Sequence, residues 1–272
     1  MTSERLDSAR MRWREEARRN GVNPRDVDLL LADTLQRSLT YLISHGDEQV
    51  DPSAVEVLLA RRFSGEPLQY VRGRTEFYGR EFFVDDRVLI PRPETELLVE
   101  SVLLRAPPHA SVVDVGTGSG CIAITLERER PDLRVTAIDV SFAALAVARH
   151  NATRLQSGIA LIASDILTAF RRSFDVVVAN PPYIPADEVE TLDREVRMHE
   201  PRTALTPGHR GTEALERIFD SSGDSLILME IGYGQEAAVR GAAEARRIGI
   251  IDVRNDLAGI PRIVVSSRHG WK

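Results

Sequence analysis

The stretch that decides the fold is SVVDVGTGSG, residues 111–120. Its first half is apolar and β-branched, which predicts a buried strand over residues 111–115. Its second half is a glycine-rich turn that opens a predicted helix over residues 121–129. Such a turn can be purely structural, but it also lets backbone N–H groups and a helix N-terminus approach a ligand closely. The stretch therefore predicts a strand–loop–helix unit that can bind a ligand.

A second feature, Asp139, strengthens the ligand-binding interpretation of this loop. It ends the next predicted strand, about twenty residues on, where a carboxylate can accept hydrogen bonds from both hydroxyls of a ribose. The loop glycines have G-x-G-x-G spacing, which differs from the G-x-G-x-x-G spacing of the dinucleotide fingerprint. The acidic residue Asp114 precedes the loop glycines and suits a cofactor that carries an ammonium group. The candidate cofactor-binding residues are Asp114, Gly116, Thr117, Gly118, Ser119, Gly120 and Asp139.

Strands and helices alternate along the chain after Pro93. The predicted strands cover residues 111–115, 135–139, 159–163, 174–179, 225–231, 250–254 and 261–266. The predicted helices cover residues 94–105, 121–129, 143–151, 212–220 and 235–246. This alternation predicts an α/β fold, with a mostly parallel sheet and helices on both of its faces.

The region before this alternation is expected to be a separate helical module. Apolar residues recur at helical spacing between residues 3 and 63, and Asn23-Pro24 and Asp51-Pro52 are predicted helix starts. Aromatic residues around Gly79 predict a β-hairpin with its turn at that glycine. We expect Trp13 to be packed and Arg61-Arg62 to lie on a solvated face. The predicted domains are residues 1–69 (helical), 70–90 (hairpin linker) and 91–272 (α/β).

Composition excludes several classes of function. The 272 residues carry a net charge of -6, which argues against a broad electrostatic grip on nucleic acid. The single cysteine, Cys121, permits no internal disulfide, and no Cys/His spacing predicts a metal site. The N-terminus has no apolar run that could serve as a signal or membrane span. We therefore expect a cytoplasmic, metal-free chain that binds neither nucleic acid nor membranes directly. We also expect the protein to be a monomer.

The G-x-G-x-G loop resembles motif I of the Rossmann-like, class I methyltransferases. This resemblance implies S-adenosylmethionine as cofactor and S-adenosylhomocysteine as product. It also implies that Asp165 and Ile166, just after the third strand, lie beside the adenine ring, with Asp165 accepting a hydrogen bond from the exocyclic amine. Alternatively, Asp165 is a solvated turn residue.

The chemistry is expected at residues 180–183, Asn-Pro-Pro-Tyr, which directly follow the predicted strand 174–179. Open α/β sheets place their ligands at the carboxyl ends of their strands. Neither proline has an N–H, and each restricts the residue before it, so the Asn180 side chain and the neighbouring carbonyls point in fixed directions. The segment therefore predicts a rigid set of hydrogen-bond acceptors, although Asn and Pro are also common in ordinary turns.

Such acceptors suit the methylation of a planar nitrogen, whose lone pair is delocalised. The Asn180 oxygen can accept one N–H and the Pro181 carbonyl the other, while the Tyr183 ring stacks on the planar group. The tetrapeptide, with Pro182 included as a substrate-binding residue, resembles motif IV of methyltransferases that act on adenine, guanine or glutamine. Asn180 is also predicted to contact the cofactor.

Nearly the whole chain resembles one family, the peptide chain release factor glutamine-N5 methyltransferases, often called PrmC or HemK. The segments that carry this resemblance are GEPLQY (65–70), LIPRPETE (89–96), HEPRTAL (199–205) and DLAGIPR (256–262). It implies a seven-stranded class I methyltransferase sheet with an antiparallel C-terminal strand. It also implies that the target is the glutamine of a release factor's Gly-Gly-Gln loop, and that the helical module docks the factor. The roles of Glu94 and Glu200 stay open.

Two other classes of function are compatible with parts of the sequence. A methyltransferase acting on nucleic-acid amines should carry a basic face and a target-recognition insertion, and neither is evident. A non-catalytic protein that senses the cofactor should lack Asn180-Pro181-Pro182-Tyr183, which is intact. Protein glutamine methylation in translation termination is therefore the preferred hypothesis.

Overall fold

The computed structural model describes residues 3–171 and 173–268. This part of the chain divides into two compact units. The first holds residues 3–73 together with the short segment 194–199, and the second holds residues 74–193 and 200–268. The division along the chain falls between Gly73 and Arg74.

The first unit is mainly helical. Its elements before residue 74 are β1 (Glu4–Arg5), α1 (Leu6–Arg19), α2 (Pro24–Leu35), α3 (Leu39–Ser44), β2 (Gln49–Val50), α4 (Ser53–Phe63) and α5 (Leu68–Arg72). The two short strands pair antiparallel. Asn23 caps α2 as predicted, since its side chain accepts a hydrogen bond from the Arg25 N–H. The start predicted at Asp51-Pro52 is one residue early, because Asp51 accepts from the Ser53 N–H and the helix begins at Ser53.

A small apolar core holds these helices together. Residues 6, 9, 13 and 17 of α1 are all buried, which is the three- or four-residue spacing of one helix face. Trp13 is packed in this core, as predicted.

The expectation that Arg62 lies on a solvated face is wrong. Arg62 is buried, and its guanidinium pairs with Asp26 at 2.8 Å and with Glu195 at 2.7 Å. It also donates to the Glu66 carbonyl. A buried guanidinium needs such partners, but they come from distant parts of the chain, so the local sequence did not indicate them.

The second unit begins with a hairpin, β3 (Thr75–Phe77) and β4 (Arg80–Phe82), paired antiparallel. Its two turn residues, Tyr78 and Gly79, have φ of 51° and 68°, the left-handed conformation that a tight two-residue hairpin turn requires. The predicted turn at Gly79 is confirmed.

The remaining strands form a seven-stranded sheet. These are β5 (Ser111–Val115), β6 (Arg134–Asp139), β7 (Ala160–Ala163), β8 (Val176–Ala179), β9 (Leu226–Glu230), β10 (Gly249–Asn255) and β11 (Pro261–Ser267). They lie in the order β10-β11-β9-β8-β5-β6-β7. β11 runs antiparallel to both of its neighbours, and the other neighbouring pairs are parallel. The predicted α/β class I methyltransferase fold is confirmed.

The helices of this unit are α6 (Glu96–Arg105), α7 (Cys121–Glu129), α8 (Phe142–Arg154), α10 (Arg202–Leu205), α11 (Glu213–Ser221) and α12 (Glu236–Ala245). The segment 194–199 of the first unit is α9 (Arg194–His199). Short 3-10 helices precede α6 and α9, at Pro93–Thr95 and Val189–Thr191. The sequence did not predict α9, α10 or the second 3-10 helix.

Alternate residues of the central strands pack on opposite faces of the sheet. Val176 and Val178 of β8 belong to the core cluster that includes residues of α6 and α7. Val177 and Ala179 belong to the cluster that includes residues of α11 and α12. All of β8 is therefore buried, which explains its continuous apolar sequence.

The strand order reverses between β5 and β8, which are neighbours in the sheet. A crevice opens at such a reversal, outside the carboxyl ends of the strands, and ligands bind there in open α/β sheets. The glycine-rich loop follows β5, and Asn180 follows β8. The topology thus brings the two predicted motifs to one place.

Among the described residues, no helix is both long and apolar enough to cross a membrane.

Candidate active site

A cavity of about 360 Å³ opens at the carboxyl ends of β5, β6, β7 and β8. The predicted residues that line it are Gly116, Thr117, Gly118, Ser119, Asp139, Asp165, Ile166, Asn180, Pro181 and Pro182. Three predicted site residues, Asp114, Gly120 and Tyr183, are not among the residues that line it. The cavity wall also includes Arg92, Thr95, Thr203, Arg217 and neighbouring residues.

The glycine-rich loop leaves space where a cofactor would lie. Gly116 and Gly118 have φ of 74° and 54°, and a Cβ added to either would meet no atom within 4 Å. A side chain there would project into free space at the loop. The missing side chains therefore leave the backbone accessible at these two positions.

Gly120 has a different role from the other two glycines. A Cβ added there would lie 3.0 Å from Ile124 Cδ1 and 3.2 Å from Ala148 Cβ. This glycine allows α7 and α8 to pack closely. Its placement gives a reason for the glycine that involves no cofactor contact.

Asp114 lies beneath the loop and is fully buried. Its Oδ2 accepts a hydrogen bond from the Thr117 hydroxyl at 2.6 Å, which ties the loop to the end of β5. Burial raises the pKa of this carboxyl to about 7. The placement favours a role in ordering the loop from below.

Asp139, the predicted ribose-binding residue, lies at the end of β6 and lines the cavity. Its Oδ2 accepts from the Gly118 N–H and its Oδ1 from the Ser141 N–H, both at 2.9 Å. A lone pair of the carboxylate that these backbone N–H groups do not use can accept a hydrogen bond from a ligand hydroxyl. Burial raises the pKa of this carboxyl, and hydrogen bonds from the backbone N–H groups of Ser141, Gly118 and Val140 oppose that shift.

Asp165 is exposed and forms an ion pair of 2.7 Å with Arg217, a partner that the sequence did not indicate. Ile166 has a φ of 53°, an uncommon conformation for a β-branched residue. The Ser164 hydroxyl donates to the Ile166 carbonyl and stabilises this turn. All four residues line the cavity.

The side-chain amide of Asn180 is held by a buried pair of residues. Its Nδ2 donates to Thr95 Oγ1 at 3.1 Å, and the Thr95 hydroxyl donates to Glu230 Oε2 at 2.7 Å. Thr95 and Glu230 are each 2% exposed. Burial raises the pKa of Glu230 to about 7, opposed by its hydrogen bond with Thr95 and by the Arg262 charge. Sequence reasoning missed both residues.

The segment 93–96 forms hydrogen bonds both with the buried Glu230 and with the β3–β4 hairpin turn. Thr95 ends the 3-10 helix and points its hydroxyl to Glu230, whereas Glu96 accepts a hydrogen bond from the Tyr78 N–H in the hairpin turn. Glu94 is exposed. The predicted helix start is present, with α6 beginning at Glu96.

Tyr183 is fixed by contacts outside the cavity. The Tyr183 carbonyl accepts a hydrogen bond from Gln235 Nε2 at 2.8 Å. The side-chain oxygen of Gln235 in turn accepts from the Gly232 N–H. A Cβ added to Gly232 would lie 2.8 Å from Tyr183 Cδ2, so only glycine allows the ring to lie here. Burial raises the pKa of Tyr183 to about 12, which keeps the phenol neutral.

Glu200 is not among the residues that line the cavity, but it binds Arg92, which is. The Arg92 guanidinium donates to Glu200 Oε1 at 2.6 Å, and the Glu200 side chain is 1% exposed. Burial raises the pKa of this carboxyl, and the Arg92 charge opposes the shift. The pair links the segment before α6 to the start of the segment that contains α10.

Cys121 is buried, and burial raises the pKa of its thiol to about 12. The thiol is therefore protonated near neutral pH. Within the described part of the chain, no group of three or more His, Cys, Asp or Glu side chains is placed to hold a metal ion.

Two family models match the chain: the methyltransferase small domain over residues 93–208 and the PrmC N-terminal domain over residues 9–73. A release factor glutamine methyltransferase of Koribacter versatilis is 41% identical over 254 residues, which cover 89% of this chain and 90% of the relative. The chain belongs to the release factor glutamine methyltransferase family. A Burkholderia pseudomallei member is 42% identical over 267 residues, covering 91% of this chain and 93% of the relative.

Solved structures agree with this family at the level of the fold. The hMettl16 catalytic domain in complex with MAT2A 3′UTR hairpin 6 has a TM-score of 0.55 at 17% identity and covers 78% of this chain and 82% of that chain. A methyltransferase from Pyrococcus furiosus has a TM-score of 0.52 at 16% identity and covers 77% of this chain and 96% of that chain.

Membership in a methyltransferase family confirms S-adenosylmethionine as the cofactor. The residues of the cavity fit it. Gly116 and Gly118 leave room beside the loop, and Asp139 has free lone pairs at the position expected for a ribose. Which individual residues contact the cofactor stays a prediction.

Proposed function

We propose that this chain transfers a methyl group from S-adenosylmethionine to the side-chain nitrogen of the glutamine in the Gly-Gly-Gln loop of a peptide chain release factor. The observation that carries the proposal is the position of Asn180. It lines the same cavity as the glycine-rich loop, and its Nδ2 is already engaged by Thr95. The Asn180 oxygen is therefore the atom available to hold a substrate N–H.

The chemistry needs an amide nitrogen whose lone pair is aimed at the methyl carbon. When bound, S-adenosylmethionine supplies an electrophilic methyl group on a sulfonium. The Asn180 oxygen and the Pro181 carbonyl accept the two N–H hydrogens of the glutamine and so turn its lone pair toward that methyl. The bound cofactor would supply the methyl group to this nitrogen and its sulfur would keep the electrons of the carbon–sulfur bond, while one N–H proton of the glutamine would leave to water.

Positioning accounts for most of the rate in this scheme. Holding two reactants in line can be worth roughly 7 to 11 kcal/mol, and fixed acceptor dipoles stabilise the positive charge that develops on nitrogen. Pro181 is buried, which keeps its carbonyl in place. Tyr183, neutral and packed against Gly232, completes the rigid segment.

The helical unit is the part of this proposal that concerns docking. We assign residues 1–69 to release-factor binding, residues 70–90 to the linker and residues 91–272 to catalysis. Three large apolar side chains of the first unit, Met11, Ile43 and Val57, are 65%, 69% and 64% exposed, so they are available to a protein partner. The proposal places the protein in the cytoplasm as a monomer, with no direct nucleic-acid substrate.

The test is transfer of labelled methyl from S-adenosylmethionine to purified release factor. Parallel reactions contain a Gln→Ala variant of its Gly-Gly-Gln loop, tRNA, rRNA and duplex DNA. Label on the wild-type factor alone supports the proposal. Label on a nucleic acid would favour an amine methyltransferase of that substrate, and label nowhere would favour a cofactor sensor.

A further inference from the structure

Two buried side chains behind Asn180 have no role in the chemistry described above. Thr95 lies at the end of the 3-10 helix Pro93–Thr95, and Glu230 is the last residue of β9. Ala179 of β8 pairs with Met229 of β9 in parallel register. The next residues along the two strands are Asn180 and Glu230, so the sheet itself brings this carboxylate beside the Asn180 amide.

The donors and acceptors of the three side chains admit one arrangement when Glu230 is ionised. A carboxylate only accepts, so the single hydroxyl proton of Thr95 is used on Glu230. Toward Asn180, Thr95 can then only accept, and this requires the NH₂ end of the amide to face it. The Asn180 side chain is also close enough to Glu230 to lower the pKa of that carboxyl, which opposes the effect of burial.

We propose that Thr95 and Glu230 are positioning residues that orient the side-chain amide of Asn180, so that its oxygen and not its NH₂ faces the methyl-accepting nitrogen. This inference rests on the proposed function. An amide rotated by half a turn would present two donors to a substrate that also offers only donors. Such a pair cannot form a hydrogen bond, and the substrate nitrogen would lose its alignment.

The inference makes Glu230→Gln a sharper test than removal of the side chain. A glutamine can turn its own NH₂ toward Thr95, whose hydroxyl proton is then free to point to Asn180. The rotated amide of Asn180 is stabilised in that case, although the cavity keeps its shape. Thr95→Val removes the hydroxyl at nearly constant volume, and Thr95→Ser restores it.

The matched control for Thr95→Val is Thr125→Val. Thr125 is a fully buried threonine of α7, and among the described residues its hydroxyl has no hydrogen-bond partner. It does not line the cavity. The same change of side chain at this position should leave methyl transfer as in the wild type.

The experiment measures kcat for methyl transfer to purified release factor at about pH 8, where a carboxyl with a pKa near 7 is mainly ionised. The Kd for S-adenosylmethionine and the melting temperature are measured on the same proteins. We expect Thr95→Val and Glu230→Gln to lower kcat by about 100-fold, the cost of a misplaced reacting group. Thr95→Ser and Thr125→Val should stay near the wild type, and the cofactor Kd should change little in all four.

Equal kcat in Thr95→Val and the wild type would overturn the inference. So would an equal loss in Thr95→Ser, because the hydroxyl would then not be the reason. If Thr95→Val does not fold, Glu230→Gln decides the question, and wild-type kcat in that variant overturns the inference. Failure of the wild type to methylate release factor would instead contradict the proposed function.

Discussion

At Asn180, the orientation of the side-chain amide decides whether its oxygen or its NH₂ group faces a substrate in the cavity. Its NH₂ group donates a hydrogen bond to Thr95, which leaves the side-chain oxygen of Asn180 to accept a hydrogen bond from a substrate in the cavity. The tetrapeptide 180–183 was evident from the sequence because its prolines are local restraints. Thr95 and Glu230 were not, since they lie 85 and 50 positions away from Asn180 along the chain and meet it only through the fold.

Replacing Asn180 should separate chemistry from cofactor binding. We expect Asn180→Ala to lower kcat by at least about 100-fold, because the substrate amide loses its alignment. Calorimetric titration should give a Kd for S-adenosylmethionine within about threefold of the wild type, since the glycine-rich loop and Asp139 are untouched. Asn255→Ala, an exposed asparagine at the end of β10, is the control. Normal turnover in Asn180→Ala would exclude the mechanism.

Glu230 should also make stability depend on pH. Its pKa is raised from 4.5 to about 7, so the folded protein binds this proton more tightly than the unfolded chain does. The stability that protonated Glu230 contributes is therefore present below about pH 4.5 and is lost as pH rises through about 7. Glu230→Gln removes this loss and should raise the free energy of unfolding at about pH 8 by about 3 kcal/mol, with little change near pH 5.

Urea unfolding of the wild type and of Glu230→Gln at the two pH values checks this prediction. Gln keeps an oxygen that can accept from Thr95, so the fold should not suffer. A variant that is less stable than the wild type at the higher pH would contradict the assignment. A more stable yet less active variant would show that the carboxylate is kept for function.

At the scale of elements, the glycine-rich loop combines two requirements that can be measured separately. Gly118→Ala adds a methyl group where there is free space and should cost about 1 kcal/mol for its positive φ, while weakening cofactor binding by more than about tenfold. Gly120→Ala adds the close contact with Ile124 and Ala148 and should destabilise the fold more. Thermal unfolding and cofactor titration of both variants test this. Equal stability losses would contradict the packing role of Gly120.

Asn151 of α8 joins three elements that the sequence did not connect. It is fully buried, and it accepts from the Phe83 N–H at 2.7 Å and donates to the carbonyls of Phe83 and Ser119 at 2.9 Å. Asn151 thereby holds the segment after β4 against the glycine-rich loop. Asn151 was the last residue of the predicted helix 143–151, where asparagine is common, so the local sequence did not indicate this role.

Asn151→Ala should therefore lower the free energy of unfolding by about 3 kcal/mol, because it leaves buried backbone groups without partners. Arg149→Ala, an exposed change in the same helix, should alter it by less than about 0.5 kcal/mol. Chemical denaturation of the two variants gives the comparison. Equal stability of Asn151→Ala and the wild type would show that water replaces all three hydrogen bonds.

The elements also show where sequence reasoning ends. The strands of the seven-stranded sheet were predicted to within about two residues, because its central strands are continuous apolar runs and are followed by clear turns, whereas the two-residue strands β1 and β2 were missed. The short helices α9 and α10 were missed, since four- and six-residue helices carry too few periodic positions to be distinguished from loops. Arg62 was misjudged for another reason: its partner Glu195 is 133 positions away along the chain.

At the scale of the whole molecule, membership in the family says more about the substrate than the geometry of the cavity does. The cavity and the Asn-Pro-Pro-Tyr segment suit any planar nitrogen, and the net charge of -6 only disfavours nucleic acid. The match to the PrmC N-terminal domain over residues 9–73 extends the resemblance beyond the catalytic unit. That helical first unit is why a release factor, a large folded substrate, is the preferred target.

The most direct test of this account is fragment mass spectrometry of release factor after incubation with the enzyme and S-adenosylmethionine. The account predicts a single added methyl group, located on the side chain of the glutamine in the Gly-Gly-Gln loop, and its loss when Asn180→Ala replaces the wild-type enzyme. A methyl group on another residue of the factor, or an unmodified glutamine in a reaction that consumes the cofactor, would contradict it.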